Sequence, residues 1–208
     1  EKAEALAREA IRCHEKNLVE KEPQLLVLEI EGQPPVTSSP SDGGDDQSYK
    51  LSQHHLALAC LEQDKWPEGW ALYENRKFVE GWQRPTYPLP YWKGEDTGTL
   101  LIHGEQGLGD EIMYLALVNR IRNKAKRIIV ECNHRLIPLI RRSLGLECFP
   151  DIEAVQAAGI MPDHIIAMGS LPNVLKLERK DARTDGYLKP DADRVDYWRK
   201  TLKRVANG

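Results

Sequence analysis

From Thr99 to Ala167 the chain alternates short apolar runs with stretches of helical periodicity, and this alternation restricts the fold more than any other feature. The expected order is strand 99–103, helix 109–123, strand 127–131, helix 134–144, strand 146–149, a short helical piece over 152–158, and strand 164–167. A turn at Gly169-Ser170-Leu171-Pro172 follows, and a last amphipathic helix is expected from Asp191 to Val205. Because each crossover between parallel strands must return along a helix, the expectation is an α/β fold with a parallel, doubly wound sheet. The chain starts without methionine and ends in a helix, which reads as a piece of a longer protein.

His103-Gly104-Glu105-Gln106-Gly107-Leu108-Gly109-Asp110-Glu111 joins the first strand to the first helix. Such turns are where α/β domains keep their binding chemistry. Glycine lets the chain reverse tightly and lets a ligand approach the backbone, while the free N–H groups of the helix attract negative charge. The spacing excludes two common cradles. A dinucleotide fingerprint needs Gly-x-Gly-x-x-Gly, whereas Gly104, Gly107 and Gly109 run in the opposite order; a Walker loop needs Lys-Ser or Lys-Thr where Asp110-Glu111 stands. No cofactor is expected. Two carboxylates at a helix start fill the anion site with the protein's own charge, which disfavours phosphate and suits a carboxylate that handles a hydroxyl proton. Local roles compete with this. Asp is a good helix cap, worth about 1 kcal/mol, Glu111 reads as a solvated first-turn acid, and a lone histidine such as His103 is often satisfied packing. Ser170, at the end of the fourth strand, is either a ligand contact or local turn punctuation.

The formal charge of −3 lacks the basic excess of a nucleic-acid binder. No apolar run approaches the roughly 18 residues that cross a bilayer, and no signal-peptide pattern opens the chain. A cytoplasmic location is therefore expected. Cys13, Cys60, Cys132 and Cys148 are far apart in apolar-periodic segments, so buried free thiols are expected and a metal site is not.

The front of the chain, residues 1–80, reads as helical. Ala3, Leu6, Ala7, Ala10, Ile11 and Leu18 form one stripe that Pro23 ends. Leu25 to Ile30 fits a strand or a helix continuation equally. From Gln33 to Ser48 the chain is Pro, Ser, Gly and Asp, read as a mobile loop. Leu51 to Leu61 is a second helix, and Trp66-Pro67 starts a third. This pair resembles a tetratricopeptide repeat in Leu56 and Ala57, in Trp66, in Gly69 where the helices cross, and in Tyr73; Asp64 and Arg76 depart from that pattern. Residues 81–98, rich in Pro, Trp and Tyr, read as a rigid connector that packs its rings onto the next domain, 99–208.

Gly69-Trp70-Ala71-Leu72-Tyr73-Glu74-x-Arg76, then Leu101 through Ile112, then Gly169-Ser170-Leu171-Pro172 and Gly186-Tyr187-Leu188-Lys189-Pro190, occur here in an order that resembles bacterial tetratricopeptide-repeat proteins with a glycosyltransferase-like domain. Those are similar to the lipopolysaccharide heptosyltransferases, which have the two-lobed GT-B fold. The resemblance implies that residues 99–208 form the Rossmann-like N-terminal, acceptor-side lobe, closed by an interlobe helix. It implies a sugar or peptide acceptor, and a nucleotide-sugar donor bound mainly by a C-terminal lobe that this chain lacks. Carried over, Asp110 would be the base, Gly104, Gly107 and Gly109 would shape the acceptor floor, and His103, Glu105 and Gln106 would meet acceptor hydroxyls. The alternative from the same residues is a non-catalytic scaffold whose helical repeats recruit protein partners.

Overall fold

The computed structural model describes residues 2–20, 27–28, 36–37, 44–79, 87–105, 107–182 and 186–206. The chain forms two compact units, one of residues 1–85 with 172–182 and one of residues 86–171 with 183–208. Among the described residues no helix is long and apolar enough to cross a membrane.

The first unit is built on helices α1 (Lys2–Glu20), α2 (Gly44–Glu62) and α3 (Trp66–Tyr73), the last tightening into a 3₁₀ turn over Glu74–Phe78. Two short strands, β1 (Val27–Leu28) and β2 (Val36–Thr37), pair antiparallel. The stretch expected as a loop over 33–48 thus contains β2 and the first turn of α2. Ala7, Leu56 and Cys60 form the core, with Ile11 and Leu72 against it. The buried stripe of α1 is rotated from the expected one, because Ala3 and Leu6 are exposed and Glu4 is buried beside Ala7 and Ala10. Glu4 can turn inward because Lys65 Nζ reaches its carboxylate at 2.6 and 2.7 Å and Arg8 Nε at 2.9 Å, which compensates the charge. Leu18 lies outside the described side chains.

Close approach of α2 and α3 depends on Gly69, where a Cβ would fall 2.7 Å from Leu61 Cγ and 3.1 Å from Leu61 N. The turn between these helices puts Asp64 at φ 59°, the left-handed region that glycine enters more readily. Arg76 is buried against the Tyr73 ring, 5.0 Å from its centroid, and donates to the Tyr73 carbonyl. Residues 172–182 group with these helices: Arg179 pairs with Asp64 at 2.8 Å and lies over the Trp66 ring.

The second unit holds a four-stranded, all-parallel sheet in the order β5-β4-β3-β6. Its strands are β3 (Thr97–His103), β4 (Ala125–Glu131), β5 (Glu147–Phe149) and β6 (His164–Ala167), linked in turn by helices α4 (Leu108–Leu115), α5 (Ile137–Leu144) and α6 (Ile152–Ala157). The alternation therefore yields the expected α/β class. β3 is central, and Leu100, Leu101 and Ile102 are fully buried, each contributing about 1.5–3 kcal/mol of burial. Ile129 and Ile165 flank Leu101 in register, and Val155 and Ile160 complete that layer. The connector from Tyr87 onward belongs to this unit. Tyr87, Leu89 and Tyr91 pack on the same layer, and Pro90 and Trp92 form backbone hydrogen bonds with Ile165, covering the outer edge of β6. Residues 80–86 lie outside the described residues.

Two helices differ from expectation. α4 stops at Leu115, and the chain to Lys124 is held by three-residue turns, Leu117 to Tyr114, Arg120 to Leu117 and Lys124 to Ile121. The Tyr187 hydroxyl donates to the Ile112 carbonyl at 2.5 Å, satisfying an acceptor of the last turn without further helix. α5 starts at Ile137, three residues late, because Asn133 Oδ1 accepts from Arg135 N in a local turn; Gly145, at φ 65°, ends it. The last helix, α8 (Ala192–Ala206), follows the four-residue α7 (Leu171–Val174) and buries none of its side chains.

Candidate functional site

After β3 the chain moves to one side through β4 and β5, then crosses to the other side for β6. The order therefore reverses between β3 and β6, and the carboxyl ends of strands at such a reversal are where open α/β sheets bind ligands. His103-Gly104-Glu105 leaves β3 there, and Met168-Gly169-Ser170 leaves β6 as a 3₁₀ turn. Glu105 joins the two, its Oε1 accepting from Gly169 N at 3.0 Å.

Asp110 lies in the first turn of α4 and is half-exposed. It is a cap, though in the reverse sense to an N-cap acid. Gly107 is the N-cap residue and has no side chain, so Asp110 Oδ2 reaches back to Gly107 N at 3.2 Å. Among the described residues no other hydrogen bond to this carboxylate is present, and a 3.2 Å bond is at the long end of the range. Its second oxygen can therefore accept a proton or a hydroxyl from solvent.

The glycines of the turn serve different purposes. Gly104 donates its N–H to the Glu131 carbonyl at 2.8 Å, and a Cβ on it would fall 2.7 Å from Glu111 Oε1. Its smallness admits a neighbouring side chain rather than a ligand. Gly107 and Gly109 are exposed, and a Cβ on Gly109 would meet nothing within 4 Å. None of the three has a positive φ.

Glu111 corrects the expectation of a solvated acid. It is 6% exposed, and its Oε2 accepts from Asn133 N at 3.0 Å, tying α4 to the loop after β4. Burial raises its carboxyl pKa above the ordinary value; the Asn133 N–H opposes that rise and the Asp110 charge adds to it. Glu131, at the end of β4, is a second raised carboxylate that sequence reasoning missed. Burial is the main cause, the hydrogen bond from Tyr87 opposes it, and Asp151, Glu153 and Glu111 reinforce it. Tyr87 donates its hydroxyl to Glu131 Oε2 at 2.6 Å, and burial followed by that bond raises the phenol's own pKa. An acid ending an apolar strand, as Glu131 does after Ile128-Ile129-Val130, was the available signal.

His103 is 0% exposed; its Nδ1 donates to the Gly104 carbonyl at 3.1 Å and its ring meets Tyr87 edge to face. Ser170 is likewise buried. Neither offers a surface to a bound molecule in this conformation. Gln106 lies outside the described residues. The open part of the candidate site is therefore Gly104, Glu105, Gly107, Gly109 and Asp110, with Glu111 beneath it.

Cys60, Cys132 and Cys148 are free and buried, and Cys13 lies outside the described side chains. Cys132 and Cys148 interact across β4 and β5, the bond from Cys132 lowering the Cys148 thiol and the same contact raising Cys132. Among the described residues no group of three or more His, Cys, Asp or Glu is arranged to hold a metal ion.

Among known proteins, the chain is similar to Protein FlbA of Caulobacter vibrioides, 26% identical over 190 residues that cover 79% of this chain and 31% of FlbA. It thus spans about a third of the length of the curated relative it matches. No family model matches the chain, and no solved structure matches it.

Proposed function

We propose that the second unit is the Rossmann-like, acceptor-side lobe of a longer GT-B glycosyltransferase-like protein, in which Asp110 removes the proton from an acceptor hydroxyl. The observation that supports this most is the half-exposed Asp110 carboxylate, held among the described residues by one long hydrogen bond, on the first turn after the central strand. A base must come within about 3 Å of the proton it takes, and a weakly engaged carboxylate oxygen facing solvent meets that requirement. Glu105 fixes the β3 and β6 loops to each other, so an acceptor would meet a floor of set shape. The donor nucleotide-sugar would be held by a second lobe of the parent, so the 208-residue chain alone would transfer nothing. A cytoplasmic location belongs to the same reading.

The alternative is a scaffold without transfer activity, whose helical unit recruits proteins. The close crossing at Gly69 and the left-handed turn at Asp64 favour a tetratricopeptide-like pair, and these features serve either reading. The two separate in the longer parent, incubated with common nucleotide-sugars and acceptors. Turnover that falls by about 10²–10⁴ in Asp110→Asn, with unchanged melting, supports the transferase. No turnover by the unmutated parent with any donor supports the scaffold.

A further inference from the structure

Helix α2 carries two adjacent histidines into the packed side of the helical unit. His54 and His55 are half-buried, and the Nδ1 atom of each lies out of solvent with no hydrogen-bonding partner among the described residues. Their ring centroids are 6.3 Å apart, and the His54 ring packs on the ring of Tyr73, the last residue of α3, at 5.5 Å. The same Tyr73 ring meets the buried Arg76 guanidinium, 5.0 Å from its centroid, so a cation already stands in this cluster. A neutral imidazole suits such a place. An imidazolium does not, because its second N–H would find no acceptor and its charge would meet Arg76.

The charged groups on the elements packed against α2 offer no compensation. On the 3₁₀ turn after α3, Glu74 is engaged by Arg76 at 3.5 Å. Lys50 of α2 and Lys77 of that turn lie over the Phe78 ring and add further cations. On α1, Glu4 is bound by Lys65 and Arg8 by Glu68, and Arg8 reaches α2 only at Cys60 Sγ, more than a turn beyond His55; Glu9 and Arg12 pair with each other. None of these carboxylates is left to pair with an imidazolium. Burial first, then the His55 and Arg76 charges, hold the His54 imidazole down to about 4, and burial lowers His55. A fold that prefers the neutral ring is fully stable above the ordinary 6.5 and loses stability as pH falls from there toward 4.

We propose that His54 and His55 are an acid-sensing latch, whose protonation parts α2 from α3 and opens the helical unit. The latch is independent of the glycosyl-transfer reading. Hydrogen exchange of the 208-residue chain, followed by mass spectrometry and corrected for its intrinsic pH dependence, tests it. Protection over α2 and α3 should fall at least about tenfold between pH 7.5 and 5, while β3 and β4 change less. The Glu4 carboxylate stays ionised throughout that interval, so its clasp does not contribute. In H54Q/H55Q, whose side chains cannot take a proton, the fall should shrink to within about threefold. An equal loss in the variant, an equal loss over β3 and β4, or constant protection of α2 down to pH 5 overturns the proposal. Where the glutamines prevent folding, the imidazole proton resonances of the unmodified chain decide. At least two of the 6 histidines should titrate below the ordinary value of about 6.5, and titration of all of them at or above it contradicts the latch.

Discussion

Glu4 and Glu111 are both nearly buried carboxylates on helices, one in each unit, and their surroundings push them in opposite directions. Glu4 meets Lys65 and Arg8, and hydrogen bonds from the two cations hold its carboxyl down to about 2. Glu111 meets a backbone N–H and a neighbouring acid, and burial pushes its carboxyl up. The helical unit uses its buried charge as an inter-helix clasp. In the sheet unit Glu111 and Glu131 are both raised chiefly by burial, and the causes that act on them among the described residues include no cation. The two acids thus differ in the partners they are given, two cations for Glu4 and a backbone N–H beside a second acid for Glu111.

The largest expected effect is steric. Gly104→Ala drives a methyl group into the Glu111 carboxylate, which Asn133 holds in place, and should cost about 1–3 kcal/mol. For a chain of this size that lowers the melting temperature by about 2–4 °C per kcal/mol. Gly109→Ala, in the same motif, has open space around it and should melt at or slightly above the parent temperature. If both alanines destabilise equally, Glu111 is not the buried member of the turn.

The acid limb of stability separates the two carboxylates next. For Glu4 the folded pKa, about 2, lies below the ordinary 4.5, so its contribution is present above pH 4.5 and is lost as pH falls toward 2. Glu4→Gln should melt lower at pH 7 and lose less on acidification through that window. Glu111 has the opposite sign. Its raised folded pKa favours the protonated fold, so stability falls as pH climbs above 4.5 through the folded value. Glu111→Gln keeps an acceptor for Asn133 N and removes the charge, so it should flatten this upper slope without lowering the melting point at pH 7. A steeper slope in Glu111→Gln breaks the comparison. The smallest effect is at Asp110: Asp110→Ala removes one long cap bond and should cost about 0.5–1 kcal/mol.

The α/β class was legible because β3, β4 and β6 each carry a short apolar run, Leu100-Leu101-Ile102, Ile128-Ile129-Val130 and Ile165-Ile166-Ala167, and His164–Ala167 begins and ends where its residues predict. The end of α4 was not, because Leu117, Val118 and Ile121 continue a helical pattern while Tyr187, 75 residues away, satisfies the Ile112 carbonyl. Asp110 was legible as a first-turn acid from its place after the glycines. The inward turn of Glu111 was not, since it depends on Gly104 leaving room and on Asn133 supplying a donor, both non-local. Glu4 misled for the same reason: its apolar neighbours Ala3 and Leu6 set the stripe in sequence, while Lys65 sets it in space. Periodicity reports which face is apolar and says nothing of a distant cation.

The most direct test of the central claim compares Asp110→Asn with Glu111→Gln in the longer parent, reading kcat and melting temperature together. Asparagine preserves the cap to Gly107 and cannot take a proton, so kcat should fall by about 10²–10⁴ at an unchanged melting temperature, while Glu111→Gln stays within about tenfold of the parent. Equal losses in both variants, or full turnover by Asp110→Asn, would contradict Asp110 as the base.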